Sequence, residues 1–214
     1  MEFNDLAQVK EELLLDLLPS LREFHQVFNI HEGIVVEFET LGLKQTLLNQ
    51  IDLRYELFKE ELQELKDAEV VTKEMYLEEH FFYRKVQIAD ALTDMLYLAL
   101  GSIDIRESIM RYLVADGVDT EILSLYYCLR DISKAQFAQT YVQWIRYPEL
   151  QPVLEDLFYE VHSSNMSKLG YDGLPLLNGV NTPMNELYPK GKIMKSDKYF
   201  KPDLASIVKK YTKR

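Results

Sequence analysis

Two stretches of this chain set carboxylates at helical spacing, and any fold it adopts must bring them a counter-charge. In Leu57-Phe58-Lys59-Glu60-Glu61-Leu62-Gln63-Glu64-Leu65, Glu61 and Glu64 are i,i+3 and Glu60 and Glu64 are i,i+4. In Ile88-Ala89-Asp90-Ala91-Leu92-Thr93-Asp94, Asp90 and Asp94 are i,i+4. On a helix such residues are neighbours in space, and like charges there repel. Asp90 and Asp94 are the only charges between Val86 and Ser102, so that helix belongs inside a bundle, where unpaired carboxylates are costly. A divalent cation with oxygen ligands is the natural counter-charge.

The rest of the chain supports helices around those two. Glycine and proline number only 8 and 7 in 214 residues, and helix formers dominate the first 165 positions, which predicts an all-α fold in a single domain spanning 1–214. A first helix is expected from Leu6 to Phe28 with a break or kink at Pro19. A connection follows over 29–41, then a second helix from Leu43 to Ala68 and an acidic, β-branched connection over 67–73. A third helix should run from Glu74 to Leu100 and stop at Gly101, a favoured residue just past a helix end. Residues 103–147 are helical in pattern, Pro148 starts a turn, and Leu150 to Lys168 makes the last long helix. Glycine, proline and asparagine mark a loop over 170–189. A short helix from Asp203 to Tyr211 closes the described pattern, with Pro202 before it and Asp203 as its N-cap.

Charge and cysteine narrow the function class. The net charge is −11, yet residues 190–214 hold nine Lys and Arg against Asp197 and Asp203, leaving −18 upstream. An acidic body argues against binding a nucleic-acid backbone, which needs many cationic contacts; a basic tail beside an acidic site fits a small phosphorylated ligand. The lone Cys128 suits a reducing, cytoplasmic setting. Met1-Glu2-Phe3-Asn4-Asp5 lacks a basic leader pattern, and no apolar run approaches about 18 residues, so neither secretion nor a membrane span is expected.

The donor types select the ion. A carboxylate di-iron bundle would show Glu-x-x-His on two helices, but none of His25, His31, His80 or His162 has a glutamate three residues before it. All-carboxylate ligation points to a hard ion, Mg²⁺ or Mn²⁺. Gly191-Lys192 is followed by Ile193 with no upstream glycine at P-loop spacing, so phosphate chemistry would rest on the metal and lysines.

Five segments, taken together, carry a resemblance. They are Arg22-Glu23-Phe24-His25-Gln26-Val27-Phe28, Leu53-Arg54-x-x-Leu57-x-x-Glu60-Glu61, Asp90-Ala91-Leu92-Thr93-Asp94-x-x-Tyr97, Val161-His162-x-Ser164-Asn165-Met166-x-Lys168, and Gly191-Lys192-x-x-Lys195-x-x-x-Tyr199-x-x-Pro202-Asp203-Leu204. In this order the chain resembles the MazG-like all-α nucleoside triphosphate pyrophosphohydrolases, and within them the subgroup with a Val-His-x-Ser-Asn-Met-x-Lys segment that includes dUTPase-like house-cleaning enzymes. The resemblance covers 20–101 and 158–208, leaving 102–157 as a helical insertion. It implies a helical bundle with a loop-rich basic C-terminal segment, and Mg²⁺-dependent cleavage of a nucleoside triphosphate to monophosphate and pyrophosphate. It implies metal ligation by Glu61, Glu64 and Asp94, with Asp90 standing in where the family has a glutamate and this chain has Ala91. Glu60 then completes a second metal's shell or, with Glu61, serves catalysis by positioning the attacking water. His25, Tyr97, Asn165, Lys168, Lys192, Lys195 and Tyr199 are the candidate substrate contacts. A homodimer or dimer of dimers is the implied assembly. Phosphoribosyl-ATP hydrolysis and a non-catalytic nucleotide-binding module are the alternatives.

Overall fold

The computed structural model describes residues 11–70, 78–113, 119–187 and 192–212. Outside them fall the expected helix starts at Leu6 and Glu74, connection residues 71–73, part of the expected 103–147 helix, and Lys190 and Gly191. Among the described residues the chain is all helical, with no strand. The helices are α1 (Glu11–Leu15), α2 (Leu18–Val27), α3 (Ile30–Leu41), α4 (Leu43–Glu69), α5 (Glu78–Leu113), α6 (Thr120–Ile145), α7 (Leu154–Met166) and α8 (Leu204–Thr212), with a 3₁₀ turn at Gln151–Val153 before α7.

The expected break falls where proline requires it: Pro19 opens α2, where its missing N–H leaves no bond unmade. The expected connection over 29–41 is instead a helix. Gly33 and the β-branched run Ile34-Val35-Val36 weaken local helix preference, but Ile34 is buried against Leu47, Ile105, Ile109 and Leu113, and that burial decides. Asn29, in the left-handed region at φ 54°, turns α2 into α3. Gly42, at φ 82° and ψ 157°, separates α3 from α4 in a backbone conformation open to glycine.

The third expected helix does not stop at Gly101. α5 runs on to Leu113, and Gly101 does not have the positive φ of a helix-ending glycine. Ile105 and Ile109 beyond it are fully buried, so packing outweighs the roughly 1 kcal/mol that glycine costs inside a helix. Two apolar clusters result. One joins α1, α2, α4, α5, α6, α7 and α8 around Leu92, Leu96, Leu100, Trp144 and Phe158; the other joins α3, α4, α5 and α6 around Leu47, Ile105 and Leu129. Residues 102–157 thus supply the end of α5 and all of α6, whose Phe137 and Trp144 lie in the first cluster. Asp119 caps α6 by accepting from the Ile122 N–H at 2.8 Å.

Between α7 and α8 the chain forms a strap. Isolated bridges pair Leu169 with Pro175 and Leu177 with Ile193. The strap is tied to α7 where the Ser164 hydroxyl donates to the Phe200 carbonyl at 2.8 Å, and the Ser196 hydroxyl donates to the Ser167 carbonyl at 3.0 Å. Asp203 caps α8 as the sequence predicts, accepting from the Ser206 N–H at 3.1 Å and its hydroxyl at 2.6 Å.

Candidate active site

The strap closes one side of a cavity of about 430 Å³ whose other walls are α2, α4, α5 and α7, within the usual size of a small-ligand site. Glu61 enters from α4, Asp90, Asp94 and Tyr97 from α5, Asn165 from α7 and Lys168 from just past its end, while Lys195, Tyr199 and Lys201 come from the strap. Helical spacing places Asp90, Asp94 and Tyr97 on one face of α5, while Ala91, Leu92, Met95 and Leu96 turn inward to the core.

The carboxylates lack the partners that would keep them ionised. Burial, with repulsion from Asp94, Glu64, Asp90 and Glu60, pushes Glu61 up to about 8. Burial and the neighbouring Asp90 push Asp94 up to about 7, against the pull of Lys168. Burial also raises Asp90, opposed by Lys201. Glu61 Oε2 is buried with no hydrogen-bond partner, which a native fold rarely leaves so. Opposite, burial lowers the Lys168 ammonium, as do Lys195 and Lys192, while Asp94 raises it. Lys168 Nζ donates to Asn165 Oδ1 at 2.6 Å, and Lys195 Nζ sits 4.3 Å from the centre of the Tyr199 ring. An orphaned carboxylate oxygen among three carboxylates from two helices fits a hard divalent cation.

The sequence-derived candidates divide accordingly. Glu61, Asp90, Asp94, Tyr97, Asn165, Lys168, Lys195 and Tyr199 line one cavity. Glu60 and Glu64 are exposed on α4 and do not line it, though both add repulsion at Glu61. Lys192 is exposed and acts on the cavity through its charge at Lys168. His25 lies elsewhere, its buried ring 2.7 Å from Asp104 Oδ2. Lys201 was missed, although it stands between Tyr199 and Pro202 in a segment the sequence singles out; a lysine in a basic tail carries no pattern that separates it from its neighbours.

A second cluster competes for the role of metal centre. His25, His31 and Asp104 offer ligand atoms within 4.8 Å of one another. Their lone pairs are already engaged: Asp104 Oδ2 lies 2.7 Å from both His25 Nδ1 and His31 Nε2, and Oδ1 accepts from Arg22 Nε at 3.1 Å. The buried Arg54 guanidinium, whose charge is felt at His25, adds a repulsion that a further cation would meet. The larger cleft of about 840 Å³ between α4 and α6 carries Lys59, Lys66 and Arg146 but no group of carboxylates facing them.

The helical bundle defines an all-α protein with a cavity in which carboxylates and lysines meet. Residues 21–107 match the model of the phosphoribosyl-ATP pyrophosphohydrolase family. The match takes in most of α2, all of α3 and α4 and most of α5, with Glu61, Asp90, Asp94 and Tyr97. The match spans 87 of the 214 residues, a likeness over less than half of the chain. No curated protein and no solved structure matches the chain.

Proposed function

We propose that this protein is a Mg²⁺-dependent nucleoside triphosphate pyrophosphohydrolase, cleaving the α–β anhydride with water to give a nucleoside monophosphate and pyrophosphate. The observation that carries this is the cavity in which Glu61, Asp90 and Asp94 face Lys168, Lys195 and Lys201. Mg²⁺, or Mn²⁺ in its place, held by Glu61, Asp90 and Asp94 with Glu60 and Glu64 beside them on α4, would neutralise phosphate charge and lower the pKa of the attacking water. Glu61, assisted by Glu60, is assigned to orient that water and accept its proton. Lys168, Lys195 and Lys201 bind the phosphate oxygens and stabilise the leaving pyrophosphate. Tyr97, Tyr199 and Asn165 hold the nucleoside end, with Phe24, Leu98 and Val161 as an apolar wall that excludes water. House-cleaning of the nucleotide pool, a cytoplasmic location and a homodimer or dimer of dimers complete the proposal. No helix among the described residues is long and apolar enough to cross a membrane.

The family match favours one second reading, hydrolysis of phosphoribosyl-ATP, which uses the same metal chemistry. Pyrophosphate release with Mg²⁺, measured over canonical and modified ribo- and deoxyribonucleoside triphosphates and phosphoribosyl-ATP with an EDTA control, separates the two. Metal-dependent release from a triphosphate supports the first; release from phosphoribosyl-ATP alone supports the second. Binding without release from any of them would reject both in favour of a nucleotide-binding module.

A further inference from the structure

The strap is held to the end of α7 by serine side chains that grip one backbone unit from both sides. The Ser164 hydroxyl donates to the Phe200 carbonyl at 2.8 Å, and the Phe200 N–H donates to the Ser167 hydroxyl at 3.1 Å. The Ser167 hydroxyl gives its own hydrogen to the Ser164 carbonyl at 2.7 Å. The Ser167 carbonyl accepts from the Ser196 hydroxyl at 3.0 Å, and that hydroxyl accepts from the Lys198 N–H at 3.1 Å. Each of the three hydroxyls thus has its single hydrogen committed, and both backbone polar groups of Phe200 are satisfied without a strand partner. The Phe200 ring is 45% exposed, so these bonds, rather than burial of the ring, fix the segment. Ser164 and Ser196 are buried, which limits competition from water.

The clip sets the register of two segments that carry the cavity's cations. Asn165 follows Ser164, Lys168 follows Ser167, and Tyr199 and Lys201 flank Phe200; all four line the cavity. Like charge opposes this arrangement, since Lys195 and Lys192 both disfavour the Lys168 ammonium. A tie between the segments is therefore needed wherever no anion lies between the lysines.

We propose that Ser164 and Ser167 are positioning residues that clip the strap to α7, so that Lys195 and Lys201 stand opposite Lys168 before substrate binds. The proposal rests on that cavity being the pyrophosphohydrolase site. The serines act through the Phe200 backbone and have no need to touch substrate. A strap released from α7 must be ordered by the substrate itself, and that cost falls on binding. Ground state and transition state then lose equally, which raises KM and leaves kcat unchanged.

The test compares Ser167→Ala, Ser167→Thr and the pair Ser164→Ala with Ser167→Ala by steady-state kinetics on the best triphosphate. Each is made alone and in a Lys195→Ala, Lys201→Ala background. Ser167→Ala is expected to raise KM about fivefold with kcat little changed, and the pair about twentyfold, the worth of one and of two hydrogen bonds. Ser167→Thr keeps the hydroxyl and should stay within about twofold of wild type. In the background without the two strap lysines the alanine variants should add nothing. An equal effect in both backgrounds, or a fall in kcat with KM unchanged, overturns the proposal. Amide hydrogen exchange gives a readout independent of turnover. The Phe200 N–H is expected to be protected in the wild type and to exchange about tenfold faster in Ser167→Ala. A wild-type Phe200 amide that exchanges at the unprotected rate overturns the clip. If the wild-type protein hydrolyses no substrate, the cavity assignment fails, while the Phe200 amide still decides the clip.

Discussion

Helix α5 carries two carboxylates with opposite treatment, Asp94 and, ten residues on, Asp104. Burial alone would raise Asp104, but its bonds to His25, His31 and Arg22 hold it down at about 2. Asp94 has burial and Asp90 against it, with Lys168 too weak a counterweight, and rises to about 7. The first carboxylate has its counter-charge built in from α2 and α3, and its chemistry is finished by folding. The second is surrounded by further carboxylates, with Lys168 as the opposing charge. The contrast separates a structural ion cluster from a candidate site more firmly than burial or residue type can, because both regions bury Asp beside basic side chains.

The largest expected effects pull the two aspartates apart. Asp94→Asn should cut metal-dependent turnover by about 10³-fold or more, with stability unchanged or raised because repulsion with Glu61 and Asp90 is relieved. Glu61→Gln should behave alike, and retained activity in both would remove the carboxylates from the mechanism. Asp104→Ala should do the reverse, costing about 3–5 kcal/mol by leaving Arg22 and buried Arg54 without their carboxylate, while the folded fraction keeps its kcat. Urea unfolding paired with active-site titration reads both. If Asp94→Asn destabilises as much as Asp104→Ala, the distinction between the two regions is lost.

The pH dependence of stability is the next sharpest test. Glu61 titrates near 4.5 when unfolded and about 8 in the metal-free fold, and Asp94 near 3.8 and about 7. Between these limits the native state binds more protons than the unfolded state, so stability falls as pH rises. The metal-free protein should therefore lose on the order of a few kcal/mol from pH 5 to 8, and Mg²⁺ should restore much of it at pH 8 through binding only the native state. Asp104 contributes with the opposite sign and far lower, losing its stabilisation as pH falls from about 3.8 towards 2. Thermal melts with EDTA and with Mg²⁺ across this range check both; a flat EDTA profile would mean that the cavity carboxylates already have partners.

Much of this was legible before the structure, and the failures share a cause. The all-α class, the break at Pro19, the span of α4 and the cap at Asp203 follow from local chemistry and were read correctly. Glu61, Asp90 and Asp94 were legible as a group because charge between apolar residues on one helix face has few explanations. The misread elements are those decided by contacts distant in sequence. Residues 30–41 fold as a helix because Ile34 finds Leu47 and Ile109, and the glycine and valines there show none of that. His25 stood in a segment singled out for the site, yet its partner Asp104 lies 79 residues away and draws it into the other cluster. The contacts of His162 with Glu23 at 3.4 Å and with Tyr97 at 3.2 Å were hidden for the same reason, since the three residues come from three helices.

Gly101 gives the smallest effect and the finest probe of the Asp104 cluster. Glycine in a helix interior is costly, so a chain retains it with no penalty only where a side chain cannot fit. Here a Cβ would meet Arg54 Nη1 and His25 Nε2 at 3.5 Å and His25 Cε1 at 3.6 Å, ordinary van der Waals contacts that need no displacement. Gly101→Ala should therefore stabilise by about 0.5–1 kcal/mol, raising Tm by up to about 4 °C for a chain of this size, with turnover unchanged. A fall in Tm would show that Arg54 and His25 have no freedom to accept even a methyl group. The Asp104 cluster would then be as tightly fitted as it is charge-matched, and the division between a finished and an unfinished region of α5 would be sharper still.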